Sequence, residues 1–251
     1  MVHPLDGIRE KLKRADESIG NLNGEIKAFF DEGLYAVMPD QEDKAFQEAI
    51  DYHSKRTVPV RFSVLAGEIV HHLRSSLDHL VWLLSDDSYR RSHPTMIEFP
   101  VLTQPPSKDE LARYKRKIQG VSSSRAAALI RVYQPCYGPN PLDSPLAILH
   151  DFDRFDKHRE LVIVVVGYNF RMGPVAMRAF MAHKKAKSQV TLGEFGRAIK
   201  LDVQITPQVA FENFGTLKAE PVVEGLHQFL VFVSGLIEAF EPEFLDSETA
   251  S

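Results

Sequence analysis

Apolar residues near the start of the chain recur at alternating steps of four and three positions. Because an α-helix completes a turn in about 3.6 residues, this spacing places them all on one face of a helix. The pattern therefore predicts a long amphipathic first helix. Its buried stripe consists of Ile8, Leu12, Ala15, Ile19, Leu22, Ile26 and Phe29.

Two further stretches repeat the helical spacing, and each begins at a proline. Proline is favoured at the start of a helix, where an amide hydrogen would have no partner. Pro59 opens the most apolar helix, and Pro221 opens the last one, which ends before Pro242. The predicted buried stripes are Phe62, Leu65, Ile69, Leu73, Leu77, Leu80 and Leu84 in the first of these helices and Val222, Leu226, Phe229, Val233, Leu236 and Phe240 in the second.

Shorter helices are marked by their capping residues. Ser107 followed by Glu110 has the spacing of a capping box, in which each side chain satisfies a free backbone amide. This pair predicts a helix that stops at Gly120. Another helix begins near Ser124, and Ser144 before Pro145 predicts the start of the helix that carries residues 150–159.

The period changes after residue 161. The β-branched run at residues 162–166 predicts a buried strand. Apolar residues at every second position in 175–181 and 199–205 predict strands with one buried face, which form an antiparallel meander. The pattern between Gly33 and Pro59 suits either a helix or strands, and we interpret it as a small hairpin.

Together these elements predict a single α+β domain over residues 1–251. Its fold is a helical bundle with an inserted antiparallel β-sheet and a returning C-terminal helix. The helical part covers about residues 1–160 and 220–242, and the β-rich insertion covers about residues 161–216.

Composition and charge narrow the class of protein. Hydrophobic residues make up 44% and charged residues 25%, which are ordinary globular values and exclude a disordered or fibrous chain. The formal net charge of −4 argues against a dedicated nucleic-acid binder, since such proteins usually carry a large basic excess. Short basic runs at residues 115–117 and 183–187 are typical of solvated surfaces.

The single cysteine and the absence of long apolar runs bear on location. Cys136 has no second cysteine for an intramolecular disulfide or a thiolate zinc site, which favours a reducing compartment. The first residues lack the continuous apolar core of a signal peptide. The longest apolar runs, 161–166 and 229–233, are shorter than the roughly 20 residues that span a bilayer. We therefore expect a cytoplasmic protein with no membrane partner.

Histidines and carboxylates are concentrated in two predicted helices. In the central helix His72 and His79 share a face, as do His71 and Asp78, because each pair is seven residues apart. The second cluster runs from 150 to 159 and includes Asp151 and His158, at the same spacing. If the two helices pack together, imidazoles and carboxylates meet, an arrangement that favours proton transfer near neutral pH.

Arg74, four intervening residues and His79 resemble the Arg-x4-6-His motif of the HEPN superfamily, whose helical bundles include metal-independent endoribonucleases. The resemblance implies attack of a ribose 2′-hydroxyl on the adjacent phosphate. His79 would transfer protons and Arg74 would stabilise the phosphorane. Asp78, His158 and Arg159 are predicted supporting residues of this catalytic site.

The spacing of Arg74 and His79 bears on the oligomeric state. Five residues rotate a helix by about 140°, so the two side chains do not converge on one phosphate within a single chain. The resemblance implies a symmetric homodimer with a composite site for RNA. Arg178 and His183 have the same spacing in a predicted strand, and Ser75 stands where the family often has Asn, Asp or His.

A metal site is an alternative interpretation of the same residues. His150 followed by Asp151 resembles the motif of the HD-domain metal phosphohydrolases. That pattern also needs an earlier histidine and a later aspartate, for which His72 and Asp156 are the candidates. This interpretation makes the chain a metal-dependent phosphohydrolase.

A noncatalytic binding or scaffold protein is the other alternative. Arg74 and Asp78 would then form an ordinary ion pair between adjacent helical turns. The sequence has no Gly-rich phosphate loop, serine nucleophile elbow or His-Glu-x-x-His motif, and we predict no cofactor. A wider set of residues resembles a bacterial protein family of unassigned activity, carried by Gly67, His71, His72, Leu73, Arg74, Leu77, Asp78, His79, Phe99, Pro100, Gly120, Gln134, Pro135, Leu149, His150, Asp156, Lys157, His158 and Arg159.

Overall fold

A computed structural model describes residues 3–31, 57–156, 163–172, 203–211 and 220–245 of the chain. Short 3₁₀ turns at Pro135–Tyr137 and Pro141–Asp143 connect two of its helices. The α-helices of these segments are α1 (Asp6–Asp31), α2 (Val60–Leu84), α3 (Asp87–Ser92), α4 (Lys108–Lys117), α5 (Ser124–Val132), α6 (Pro145–Asp156), α7 (Val222–Ala239) and α8 (Pro242–Leu245); the strands are β1 (Ile163–Met172) and β2 (Val203–Phe211).

Four helices build the core of the molecule. Helices α1, α2 and α7 pack against one another, and α6 packs on α2 and α7. The predicted apolar stripes of the three long helices face this core, with Leu12, Leu65 and Leu84 packed at its edge. Each large side chain removed from water in this way contributes roughly 1.5–3 kcal/mol relative to an exposed one. The helical bundle predicted from the spacing is therefore confirmed.

The short helices begin at the residues that the capping signals indicate. Ser107 Oγ accepts a hydrogen bond from Glu110 N, and the Glu110 carboxylate accepts one from Ser107 N, so the capping box is complete. Helix α5 begins at Ser124, after Ser123 as its cap. Helix α6 begins at Pro145, as predicted.

The predicted α+β class with an inserted antiparallel sheet is wrong. Helix dominates the described residues, and the strands among them are limited to β1 and β2, which pair as an antiparallel two-stranded ribbon. The ribbon runs from Ile163 opposite Phe211 to Met172 opposite Val203. An alternating pattern indicates an extended segment with one apolar face, but it does not indicate how many segments pair.

Other strand predictions lie outside the described residues. They include the alternating segment at 175–181 and most of the hairpin placed between Gly33 and Pro59. The end of the ribbon is attached to the bundle through the buried residues Val209, Ala210 and Phe211. The Phe211 ring packs 4.8 Å from that of Phe152 on α6, so this end of the ribbon is anchored to the bundle.

Among the described residues, α7 is the one helix that is long and apolar enough to cross a membrane by length and composition. Helices in the core of soluble proteins have the same properties, and 44% of the α7 window is buried inside the fold. The buried face of α7 contacts α1, α2 and α6.

Candidate functional site

An open groove lies where the N-terminal half of α1 passes the C-terminal half of α2. We call it the α1–α2 groove, and its volume is about 370 Å³. It is a shallow depression that is largely open to solvent, unlike the clefts that bury most of a small ligand. The groove is lined by Lys11, Ser75, Asp78, His79, Trp82 and Ile97.

His79 is the half-buried histidine of this groove. Its Cε1 atom lies close to α1, 3.3 Å from the position that a Cβ atom would take on Gly7. Its Nδ1 atom is buried and has no hydrogen-bond partner among the described residues. Burial lowers the pKa of His79, and the positive charge of Lys11 lowers it further. The imidazole is therefore held in its neutral form, which accepts a proton.

Lys11 brings a positive charge to the same groove. Its Nζ atom donates to Ser75 Oγ at 3.4 Å, which is long for a hydrogen bond. Ser75 Oγ in turn donates to the carbonyl oxygen of His72 at 3.2 Å. Trp82, the single tryptophan of the chain, and the buried Ile97 supply the apolar part of the wall.

Arg74 lies inside the fold rather than in the groove. Its side chain is 4% exposed. Nη1 donates to Asp78 Oδ1 at 2.6 Å, and Nη2 donates to the carbonyl oxygen of Phe99 at 2.6 Å. Asp78 Oδ1 also accepts from Phe99 N at 2.8 Å. The three groups form a clamp that fixes the loop after α3 against α2, and both terminal nitrogens of the guanidinium donate to it.

Asp78 connects this clamp to the groove. Its carboxylate lines the groove on one side and is paired with Arg74 on the other. Burial raises the pKa of Asp78, against the opposing effects of the Arg74 charge and of the Phe99 N–H group. Arg74 therefore lies in the buried clamp and His79 lies in the groove, on different sides of α2, as the five-residue spacing predicts.

A second polar cluster lies between α2 and α6, as predicted if the two helices pack. His71 Nδ1 and Asp153 Oδ1 are 3.1 Å apart, so an imidazole and a carboxylate do meet there. His150 lies on the same side of α2, with its Nδ1 buried and unpaired among the described residues. Burial lowers the pKa of His150, and the nearby Arg74 charge adds to this effect.

The residues of the predicted metal site are not brought together. In the described parts of the chain, no three His, Cys, Asp or Glu side chains form a group that could hold a metal ion. The surroundings of His72 include Lys11 and Arg14 of α1, whereas those of His150 include Arg74 and Lys117. Among the described residues, His72, His150, Asp151 and Asp156 therefore do not form a group that could hold a metal ion.

Two predicted supporting residues, His158 and Arg159, lie outside the described residues.

Two groove residues, Lys11 and Trp82, were not predicted from the sequence. Neither residue belongs to a recognisable motif. Lys11 is on α1 and lies near His79 only because α1 and α2 pack together. The unusual feature of Trp82 in the sequence is only that it is the sole tryptophan.

Comparison of the chain with protein-family models, with curated proteins and with solved structures finds no match. The function is therefore inferred from the geometry of the groove and of the clamp beside it.

Proposed function

We propose that this chain is a HEPN-like, metal-independent endoribonuclease in which His79 transfers the proton. The observation that carries the proposal is the half-buried His79 in an open groove that is also lined by the cation of Lys11. A neutral imidazole next to a positive charge is the pair of groups that 2′-hydroxyl attack on a phosphate requires.

Each group has a defined step in this reaction. His79 accepts the proton of the ribose 2′-hydroxyl while the 2′-oxygen attacks phosphorus. The bond to the 5′-oxygen breaks, and that oxygen takes a proton from water as it leaves, while His79 gives its proton to the hydroxide so formed. The products are a 2′,3′-cyclic phosphate and a 5′-hydroxyl. Lys11 stabilises the negative charge that accumulates on the phosphate oxygens.

Arg74 has a positioning role in this proposal. Its guanidinium is engaged by Asp78 and by the Phe99 carbonyl oxygen, and so it holds α2 and the following loop in place. This differs from the role that the motif implies, in which the arginine contacts the phosphate. The proposal also includes RNA as the partner, a homodimer as the active form and a cytoplasmic location.

A noncatalytic binding or scaffold protein is the second candidate. The observation in its favour is the same clamp, because a buried and fully paired Arg74 stabilises a fold without any chemistry. The two candidates differ in whether RNA is cleaved, so one assay separates them.

The first experiment is cleavage of a mixed, labelled RNA pool in EDTA by the wild type and by His79→Ala. We expect wild-type cleavage and a loss of at least about 100-fold in the variant, the usual contribution of a general acid or base. The matched control is His227→Ala, which removes an exposed histidine from α7. It should cleave at the wild-type rate.

Arg74→Ala is a poor test of chemistry in this assay. Removing the guanidinium leaves the Asp78 carboxylate and the Phe99 carbonyl oxygen without their partner, at a cost of roughly 3 kcal/mol in stability. Each variant is therefore checked by thermal denaturation. Cleavage by His79→Ala at the wild-type rate would show that His79 is not catalytic, and RNA binding without cleavage by the wild type would favour the second candidate.

A further inference from the structure

We infer that the α1–α2 groove holds one nucleotide of single-stranded RNA, with the base against Trp82 and the phosphate at Lys11. The inference rests on the proposed function, since it takes RNA as the ligand, and it adds the form of the RNA and the two residues that hold it. Trp82 and Lys11 both line the groove beside His79.

The pairing state of Lys11 singles it out from its neighbours on α1. Arg9, Lys13 and Arg14 each form a salt bridge with a carboxylate. Lys11 forms none among the described residues, and its contact is the long hydrogen bond to Ser75. A phosphate oxygen would give the ammonium a shorter, charge-assisted hydrogen bond in place of this weak one.

The carboxylate in the groove does not oppose a phosphate strongly. Asp78 Oδ1 already accepts hydrogen bonds from Arg74 and from Phe99 N. The pairing with Arg74 offsets its negative charge. The positive charge of Lys11 is therefore the charge in the groove that attracts an anionic ligand.

Trp82 supplies the surface for a base. Its side chain is half-buried on the outer part of α2 and forms the groove wall together with Ile97. Aromatic side chains bind unpaired bases by stacking, and this works for any base because each has a flat face. In a duplex the faces of the bases are covered by their neighbours, so a single strand is required.

The size and charge of the protein agree with a short contact. A shallow, open groove of about 370 Å³ has room for one nucleotide rather than a helical segment. A formal net charge of −4 disfavours extended contact with any nucleic acid, so the site is limited to a short contact. Because the groove is open, the strand can enter and leave along it.

Fluorescence of Trp82 is the direct test, because no other tryptophan contributes to the signal. The full-length wild-type protein is titrated with a 2′-O-methyl oligoadenylate, which lacks the attacking hydroxyl and is not cleaved. We expect saturable quenching that weakens with added salt, and no saturable quenching by the corresponding 2′-O-methyl duplex. Absence of saturable quenching by the single strand would overturn the inference.

Affinity of the variants is measured by anisotropy of the same oligomer carrying a fluorescent label. Lys11→Gln and Trp82→Leu should each weaken binding at least about fivefold, and Trp82→Phe should weaken it less because it keeps an aromatic ring. The matched control is Lys13→Gln, which removes the same charge from an exposed position of α1. Equal effects of Lys11→Gln and Lys13→Gln would overturn the inference. Circular dichroism verifies that each variant is folded.

The two proposals fail in different ways. Cleavage that depends on His79, without quenching of Trp82, would overturn the nucleotide site and leave the nuclease. Quenching that depends on Lys11, without cleavage of natural RNA, would support the nucleotide site and overturn the nuclease.

Discussion

Three histidines have a buried ring nitrogen without a hydrogen-bond partner among the described residues: Nε2 of His3, Nδ1 of His79 and Nδ1 of His150. Burial lowers the pKa of His79 and of His150. Each imidazole is therefore neutral in the folded chain at a pH where it is already protonated in the unfolded chain.

The lowered pKa of His150 predicts a loss of stability in weak acid. A histidine whose pKa is below 6.5 in the folded state contributes full stability above about pH 6.5. As the pH falls below this value, the unfolded chain binds the proton first, and stability declines by at most about 1.4 kcal/mol per pH unit for each such histidine. His150→Gln should therefore reduce the slope.

Urea denaturation between pH 7.5 and pH 5 measures this slope. The control is His227→Gln, an exposed histidine on α7, which should keep the wild-type dependence. An unchanged slope in His150→Gln would mean that its protonation is not coupled to folding.

At the scale of the elements, Gly120 joins the end of α4 to α2. The sequence indicated it as a helix stop, a position where glycine commonly adopts positive φ. In the structure its role is close approach: a Cβ atom there would lie 2.7 Å from Tyr89 Cδ1 and 2.8 Å from Ser85 Cβ. The carbonyl oxygen of Gly120 accepts from Asp86 N at 2.8 Å, so the two chain segments are locked together.

Gly120→Ala should destabilise the protein by about 1–3 kcal/mol, the usual cost of overpacking. The Cβ of Ser85 belongs to the helix end and cannot rotate away. Thermal and urea denaturation give the change in the free energy of unfolding. The control is Gly20→Ala on α1, where no atom lies within 4 Å of the added carbon. It should be neutral or stabilising by up to about 1 kcal/mol, and equal losses in both variants would contradict the close-approach role.

The positions of the helices could be predicted because they depend on local sequence. The pairing of the two-stranded ribbon could not be predicted in this way. The stripes of α1, α2 and α7 and the capping box at Ser107 depend on residues within one or two turns of each other. The number of strands that pair depends on contacts between segments that are distant in the sequence. Here β1 pairs with β2, which begins about 30 residues after β1 ends. Periodicity of two therefore predicted extended segments but the wrong fold class.

At the scale of the whole molecule, the α1–α2 groove forms only because α1 and α2 cross with Lys11 opposite His79. The five-residue spacing places Arg74 on a different side of α2, where it meets Asp78 and Phe99. A single chain thus places one histidine and one unpaired lysine ammonium in the groove, among the described residues.

We expect sedimentation equilibrium to give twice the chain mass of 28.4 kDa at micromolar concentration. The expectation rests on the proposed HEPN-like function, because the resemblance implies a homodimer. If the dimer is the active form, cleavage activity per chain should fall on dilution. A monomer that cleaves RNA at a concentration-independent rate would contradict the homodimer while leaving His79 in its role.

The sequence by itself determined the helices, their caps and the presence of histidines and carboxylates on α2 and α6, because these are set by neighbours along one helix. It also indicated that Arg74 and His79 diverge, since helical geometry alone requires it. Only the tertiary structure decided that Arg74 is a buried clamp and that Lys11 and Trp82 join His79 in a groove. The physical reason is that burial, pairing and pKa depend on which helix faces meet, and these contacts link residues that lie far apart in the chain.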